Sequence, residues 1–337
     1  MLIDGGPAGT WERVLRPRLN ALGRPLEAVC VTHLDADHIA GVLGLLATNV
    51  RAVKDDGLAP PFEVRRLWFN GLDLLRAPLL STADAVAAAS YAQGRDLMTH
   101  ARQLRLEGNA PFGGPLTAGK QAELDGLTVT VVTPHEKALH RLAGAWRAKL
   151  PEDPAVTGAG FTDQSIPNLS SITLYLAGHG RTVLLTGDAR GDDILEGLSI
   201  AGLSASGKTH VDVLKLPHHG SANNVAEEFF AAVQADHYVI SADGTHGHPS
   251  RDTLRWLVES RPSDAGFTVH VTNPISHVHD TLADLQRGRR LEVSIGRGAV
   301  IELATRPGPD RLPDRTADHA PYGGSYGRVD IGQTGAE

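Results

Sequence analysis

Residues 32–38, Thr-His-Leu-Asp-Ala-Asp-His, constrain this chain more than any other stretch, because they concentrate metal-ligating side chains between two apolar runs. The first run covers residues 26–31 and the second covers residues 39–46. The four candidate ligands are His33, Asp35, Asp37 and His38. The simplest interpretation is a buried strand that enters a ligand-rich loop, which in turn opens a helix.

The composition is that of an ordinary globular protein. The chain has 337 residues, of which 41% are hydrophobic and 21% charged, so it can bury one large core or two smaller ones. A formal net charge of -7 excludes a global basic field, so a nucleic-acid substrate would need a local basic patch or bound cations. A single cysteine excludes an intrachain disulfide. Without a membrane-spanning apolar run or a signal-peptide pattern, we expect a cytoplasmic protein.

Strands and helices alternate along the sequence, which predicts a layered α/β arrangement. Strands are predicted at residues 2–6, 26–31, 64–69, 171–177, 182–186, 211–216, 237–241 and 267–272, with a hairpin at 121–133 and closing strands within 291–303. Helices are predicted at 11–22, 82–106, 136–149, 194–203, 225–233 and 251–260, and an irregular segment at 151–165. The tail is rich in Pro, Gly, Asp and Arg, so we predict one domain at 1–304 and a disordered segment at 305–337.

Further candidate ligands follow later predicted strands. Asp188 comes after the strand at 182–186, and the pair His218-His219 comes after the strand at 211–216. His248 lies in the loop after the strand at 237–241. Because the carboxyl ends of neighbouring parallel strands meet at one edge of a sheet, we expect these side chains to converge with the first cluster.

The spacing within the first cluster is typical of a two-metal site. In an extended segment His33 and Asp35 point the same way and can hold one ion, whereas Asp37 and His38 can turn to a second ion as the helix begins. Asp188 can then bridge two cations about 3.5–4 Å apart, as two-metal hydrolases require. Such a pair lowers the pKa of a bound water, so that hydroxide can attack a phosphoryl or acyl centre.

Several candidates allow two interpretations. Asp4, at the end of the first strand, either orients a ligand histidine or is an ordinary turn residue. Adjacent histidines point in different directions in regular structure, so we expect one of His218 and His219 to be a ligand and the other to contact substrate or protonate the leaving group. His248 is either functional or the start of a helix. Lys215 faces either the sheet or the site.

The order of these motifs resembles the metallo-β-lactamase superfamily. Residues 2–6 resemble its first motif, residues 32–38 its second, residues 186–188 its bridging-aspartate motif, and His218 or His219 its last histidine motif. The resemblance covers residues 1–303. It implies an α/β fold, an αββα sandwich in which two mixed β-sheets are flanked by helices, with a dinuclear metal site between the sheets.

The motifs are most similar to one branch, the hydrolase domain of the competence protein ComEC. The matching segments are 33–38, 184–189, 214–221 and 247–249. As in that branch, Asp35 stands where the superfamily usually has a second histidine. No histidine precedes Asp188 where the superfamily places a ligand to the first metal, and Asn168 and Ser170 occupy that region. We therefore expect a weaker or water-completed first site and two divalent ions, zinc or the harder manganese.

The resemblance implies a phosphodiesterase or nuclease that acts on DNA, RNA or nucleotides. We expect catalytic roles for Asp37, His218, His219 and His248. We expect supporting or substrate-contacting roles for Asp4, Asn168, Ser170, Lys215 and Ser221. Two alternatives stay open: hydrolysis of a lactone, thioester or β-lactam, because the same hydroxide can attack a carbonyl, and a metal-binding regulatory module without turnover.

Overall fold

A computed structural model of the chain describes residues 1–71, 85–148, 165–296, 299–304 and 326–331. The strands are β1 (Leu2–Ile3), β2 (Val29–Cys30), β3 (Leu67–Trp68), β4 (Gln121–Leu124), β5 (Leu127–Thr133), β6 (Thr173–Gly178), β7 (Arg181–Leu185), β8 (Thr209–Lys215), β9 (Val233–Ile240), β10 (Phe267–Val271), β11 (Leu291–Ile295), β12 (Ala299–Ala304) and β13 (Tyr326–Ile331). The α-helices are α1 (Arg16–Leu22), which continues a π-helix at Trp11–Leu15, α2 (Ala36–Lys54), α3 (Ala85–Leu104), α4 (Glu136–Ala148), α5 (Ile166–Leu169), α6 (Gly191–Ile200), α7 (Glu227–Ala232), α8 (Arg251–Glu259) and α9 (Ser276–Leu285).

Two sheets carry the site. The larger has eight strands in the order β11-β10-β9-β8-β7-β6-β5-β4, of which β7 to β11 pair in parallel and β4 to β7 are antiparallel neighbours. The smaller has the order β1-β2-β3, and both of its pairs are parallel. The predicted α/β fold with sheets flanked by helices is confirmed, although only the larger sheet is mixed.

Successive side chains along a strand point to opposite faces of its sheet, so each sheet can pack against a layer on either side. Cys30 of β2 and Trp68 of β3 share a buried cluster with Val131 of β5 and Leu174 of β6, so the two sheets pack face to face. Val31, next to Cys30, points to the other side of the small sheet and packs in a cluster with α2 and α3. Helices therefore cover the outer face of this sheet.

The outer face of the large sheet is covered in the same way. Leu214 of β8 and Tyr238 of β9 belong to a buried cluster with Phe229, Leu254 and Val278, which lie on α7, α8 and α9. Strand β12 packs against the inner face of the large sheet. The order of layers is helix, sheet, sheet, helix. None of the helices in the described part of the chain combines the length and apolar character needed to cross a bilayer.

Most predicted elements are present with shifted ends, but helix α9 was not predicted. The segment predicted as irregular at 151–165 lies, apart from residue 165, outside the described residues. Of residues 305–337 the structure describes only 326–331, which form β13 and pair with β12. The domain boundary at residue 304 stays a prediction.

Candidate metal centre

The structure brings the predicted ligands together at the carboxyl ends of four strands. Asp4 follows β1, residues 33–38 follow β2, Asp188 follows β7, and His218 and His219 follow β8. These strands form parallel pairs, β1 with β2 and β7 with β8, so each pair delivers its loops to one edge. The site therefore lies at the edge of the sandwich where the carboxyl ends of these strands in the two packed sheets come together.

Four imidazoles surround one carboxylate oxygen. The Nε2 atoms lie at these distances from Asp188 Oδ2: His38 at 3.3 Å, His218 at 3.7 Å, His219 at 3.8 Å and His33 at 3.9 Å. Two further carboxylates flank this cluster. Asp35 Oδ2 is 3.7 Å from His33 Nε2, and Asp37 Oδ2 is 3.5 Å from His38 Nε2 and 3.1 Å from His219 Nε2.

Hydrogen bonds on the far side of the rings fix the tautomers of His38 and His219. His38 Nδ1 is 2.7 Å from Asp4 Oδ2, and His219 Nδ1 is 2.6 Å from the carbonyl oxygen of Ser241. A carboxylate and a carbonyl can only accept, so each Nδ1 carries the proton and donates it. In a neutral ring the Nε2 atom then holds a lone pair that points at Asp188.

Proton counting gives the same tautomer for His33. The Thr32 hydroxyl donates its hydrogen to Asp4 Oδ2 at 2.8 Å, and Thr32 Oγ1 is 3.0 Å from His33 Nδ1. Because a hydroxyl has one hydrogen, His33 Nδ1 must be the donor in the second contact. Asp4 thus orients His38 directly and His33 through Thr32.

The converging atoms form a candidate site for a cation. His33 Nε2, His38 Nε2 and Asp188 Oδ1 are buried and have no hydrogen-bond partner. The distances of 3.3–3.9 Å from the imidazoles to Asp188 are longer than hydrogen bonds, but they suit atoms that share a metal ion. Ligand atoms of His33, His38 and Asp188 all lie within 4.8 Å of one another, as do those of Asp37, His38 and His219. The donor set therefore fits divalent metal ions.

The electrostatics of the site also favour positive charge. Burial alone would lower the pKa of His38, but the Asp188 and Asp4 carboxylates outweigh burial and raise this pKa well above its usual value. Burial alone would raise the pKa of Asp188, but the charges on His38, His219 and His33 hold it well below its usual value. The pKa of Asp37 is lowered in the same way, by His219 and His38 against the effect of burial. The centre stabilises cations and keeps its carboxylates ionised.

The backbone explains why two adjacent histidines reach the same atom. His218 and His219 have φ angles of 44° and 53°, both in the left-handed region. Such conformations cost on the order of 1–3 kcal/mol each in a non-glycine residue. In an extended strand the two rings would diverge, whereas here the Nε2 atoms of both face Asp188 Oδ2. The expectation that one of them is a metal ligand and the other acts on substrate stays a prediction.

Helix α2 supports the first cluster. Asp35 is its N-cap residue and Asp37 lies in its first turn, where the positive end of the helix dipole favours carboxylates. The helix sits tightly on the loop after β1, because a Cβ on Gly41 would lie 1.9 Å from the carbonyl oxygen of Gly5. This contact fixes the first turn of α2 beside Asp4.

The predicted supporting residues have unequal relations to the centre. Lys215 Nζ donates to the carbonyl oxygens of Gly187 and Leu216, both at 3.2 Å, so it holds the turn that precedes Asp188. The Ser221 hydroxyl accepts from the backbone of Asn223 at 3.2 Å. The Ser170 hydroxyl donates to Pro167 at 2.8 Å, and Asn168 is buried nearby.

Sequence reasoning missed three polar residues that contact the ligand loops: Thr32, Ser171 and Asn224. The Ser171 hydroxyl accepts from the Asp188 amide at 3.0 Å and lies 3.4 Å from His33 Nδ1. Next to it, Gly187 has a φ of 51° and no space for a side chain, because a Cβ would lie 2.3 Å from Ser171 Oγ. In the sequence these three residues are marked only by being polar and close to a ligand motif. Polar residues are too common for that position to predict a role at the site.

His248 lies beside the centre. Its ring centroid is 5.5 Å from that of His218, and its Nδ1 is buried without a hydrogen-bond partner. Burial, and then the nearby His218, His219 and His246, lower its pKa to about 4. The ring is therefore neutral at pH 7.

A family model described as the metallo-beta-lactamase superfamily matches residues 1–108. The matched region runs from β1 into the loop after α3 and includes Asp4 and the whole 33–38 cluster. Together with the fold, the match supports the metallo-β-lactamase superfamily, and a domain of this superfamily implies a metal-dependent hydrolase. No curated protein matches the chain. The closer likeness to the ComEC branch stays a prediction.

Proposed function

We propose that the chain is a dinuclear metal-dependent phosphodiesterase or nuclease. The observation that carries the proposal is the convergence of four imidazole Nε2 atoms on one oxygen of Asp188, with Asp35 and Asp37 at the flanks. Lone pairs and carboxylates that meet in a buried place repel one another unless cations lie between them.

The two ions would have equivalent ligand sets that share Asp188. The first set would be His33, Asp35, Asp188 and His218, and the second would be Asp37, His38, Asp188 and His219. In this assignment His218 supplies the ligand that the sequence lacks before Asp188. Two imidazoles and two carboxylates for each ion are compatible with zinc or manganese.

Bound divalent ions would supply an activated water at neutral pH and neutralise charge that develops on the substrate. The residues of the chain supply the geometry. Asp188 joins the two halves of the site, and Asp4 keeps the Nδ1 protons of His38 and, through Thr32, of His33 away from the centre. His248 is neutral at pH 7, so it can offer one N–H hydrogen bond to a substrate oxygen but not a full positive charge.

A phosphodiester substrate is favoured by the motifs shared with the ComEC branch. The net charge of -7 opposes tight, sequence-independent binding of long DNA, so a nucleotide or a strand end suits the chain better. With a single cysteine, Cys30, which is buried and free, the chain needs no oxidising compartment, so we place this activity in the cytoplasm.

The test is a substrate panel with purified protein loaded with zinc or manganese. The panel holds bis-p-nitrophenyl phosphate, single-stranded DNA, cyclic dinucleotides and lactones. Turnover of phosphodiesters that Asp37→Ala and Asp188→Ala abolish, and that the exposed Asp252→Ala does not change, supports the proposal. Turnover of lactones alone moves the assignment to carbonyl hydrolysis. Two bound ions without turnover of any substrate indicate a regulatory module.

Metal content needs its own control. Another group, His135, Asp193 and Glu196, has ligand atoms within 4.8 Å of one another and lies on α6 and just before α4. Elemental analysis of Glu196→Ala shows whether this group contributes to the count. A protein that retains no metal after reconstitution with zinc or manganese would refute the dinuclear site.

A further inference from the structure

The Asn224 side chain connects the two loops that carry Asp188 and His218. Asn224 is completely buried and lies six residues after His218, close to the short helix Pro217–Gly220. Its Oδ1 is 2.7 Å from His218 Nδ1, and its Nδ2 donates to the carbonyl oxygen of Asp188 at 3.0 Å. Its own carbonyl oxygen accepts from the amide of Gly191, at the start of α6, at 2.7 Å. One side chain and its backbone therefore hold three segments around the centre.

The orientation of this amide follows from its partners. A backbone carbonyl can only accept, so the atom that faces Asp188 must be the NH2 group of Asn224. The other end is then the oxygen, which accepts the Nδ1 proton of His218. This fixes His218 as the tautomer whose Nε2 lone pair points towards Asp188 Oδ2, 3.7 Å away.

The support of His218 differs in kind from the support of His38. The Asp4 carboxylate accepts from His38, whereas a neutral amide accepts from His218. A carboxylate partner raises the basicity of a ligand imidazole more than an amide does. Metal binding by His218 thus depends on the orientation that Asn224 gives the ring, because the neutral amide increases the basicity of the imidazole less than a carboxylate would.

We propose that Asn224 is a positioning residue that prepares His218 for the ion shared by His33, Asp35, Asp188 and His218. The inference rests on the proposed function only in requiring that the centre binds two divalent ions. Loss of Asn224 is expected to weaken mainly the ion held with His218. The ion held by Asp37, His38, Asp188 and His219 should be affected much less, because Asn224 contacts Asp188 only at its backbone carbonyl oxygen. A residue with a merely structural role would weaken both ions equally or neither.

The experiment measures the binding of manganese and zinc to the metal-free full-length chain by calorimetry and chelator competition. Asn224→Leu removes both hydrogen bonds at nearly constant volume, and Asn224→Asp keeps an acceptor for His218. In Asn224→Leu we expect the ion that His218 helps to hold to bind roughly 10- to 100-fold more weakly, the range typical of lost support behind a metal ligand. We expect a smaller loss in Asn224→Asp. The neighbouring Asn223, which is exposed, provides the matched control Asn223→Leu.

A double-mutant cycle separates positioning from a general effect on folding. If Asn224 acts through His218, the substitution Asn224→Leu has no further effect on metal affinity in a His218→Ala chain. Circular dichroism checks that each variant is folded, and Asn224→Asp serves for the comparison if Asn224→Leu is not. Unchanged affinity for both ions in folded variants, or equal loss of both, overturns the proposal. A wild-type chain that binds no ion refutes the proposed function as well. Failure of the proposed function is thus seen in the wild type, whereas failure of the role of Asn224 is seen only in its variants.

Discussion

The substitution Asp4→Asn tests the tautomer argument directly. Asp4 accepts three hydrogen bonds: Oδ1 from the Thr32 amide at 2.7 Å, and Oδ2 from the Thr32 hydroxyl at 2.8 Å and from His38 Nδ1 at 2.7 Å. An asparagine amide has one accepting oxygen and one donating NH2 group. Either orientation places the NH2 group against the backbone N–H of Thr32 or against the N–H of His38.

The expected magnitude follows from one lost hydrogen bond to a charged group. Losing such a bond and leaving a buried donor unpaired costs about 2–3 kcal/mol, so the metal-free variant should unfold at a lower urea concentration. His38 can avoid this contact between two donors if its proton lies on Nε2 instead of Nδ1, but Nε2 then lacks the lone pair that would bind the metal. Metal affinity should therefore fall about 10- to 100-fold.

The assay combines urea unfolding in the presence of a chelator with metal titration of the folded protein. Asp125→Asn is the matched control, because Asp125 is exposed and its φ of 50° is close to the 56° of Asp4. Asparagine tolerates this backbone conformation as well as aspartate does, so the control removes any backbone effect. An Asp4→Asn chain that binds both ions and unfolds like the wild type would refute the hydrogen-bond assignment.

Three other substitutions test different parts of the structure. Gly187→Ala places a Cβ 2.3 Å from Ser171 Oγ, so it should reduce stability and metal content, measured by urea unfolding and elemental analysis. His248→Gln should lower kcat/KM about 100-fold while both ions stay bound, and because the pKa of His248 is lowered to about 4, its effect should be constant between pH 5 and 8. Asp212 is ionised by its bonds to Arg181 and Thr182, which lower its pKa although burial opposes them. Its stabilising effect is therefore fully present above the usual aspartate pKa and is lost as pH falls through the lower folded pKa. Asp212→Asn should thus destabilise the chain by about 1–3 kcal/mol at pH 7 and progressively less as pH falls below the usual aspartate pKa, measured by urea unfolding.

Periodicity and residue type made the elements around the first cluster predictable from the sequence. The apolar run at 39–46 follows directly on the four candidate ligands. A helix that begins within the ligand loop accounts both for the apolar run and for the position of the ligands. Helix α9 was missed because His277, His279 and Asp280 interrupt its apolar pattern. On the large sheet, the strands before Asp188 and His218 were predicted because their runs are short, apolar and followed by glycine or proline.

The orientation of His218 and His219 could not be predicted from the sequence. Two adjacent histidines give no indication that both residues adopt the left-handed backbone conformation. That conformation depends on tertiary contacts: the His218 amide donates to the Gly187 carbonyl at 3.1 Å, and Lys215 donates to the same oxygen. The roles of Thr32 and Asn224 depend in the same way on partners that are distant in sequence. Residue type and local sequence pattern identify the candidate ligands, whereas tertiary contacts determine the orientation of their side chains.

The strain at His218 and His219 and the charge pattern of the centre have one common explanation. Without metal, protons are the only cations that can neutralise the crowded carboxylates, which is why the pKa of His38 is raised and that of Asp188 lowered. A metal ion must displace the proton on His38, so metal affinity increases with pH until this histidine is neutral. A proton serves one nitrogen, however, whereas a divalent ion could be held by several imidazoles at once. Under the proposed function, the two left-handed residues give the backbone conformation that would let both His218 and His219 hold such ions.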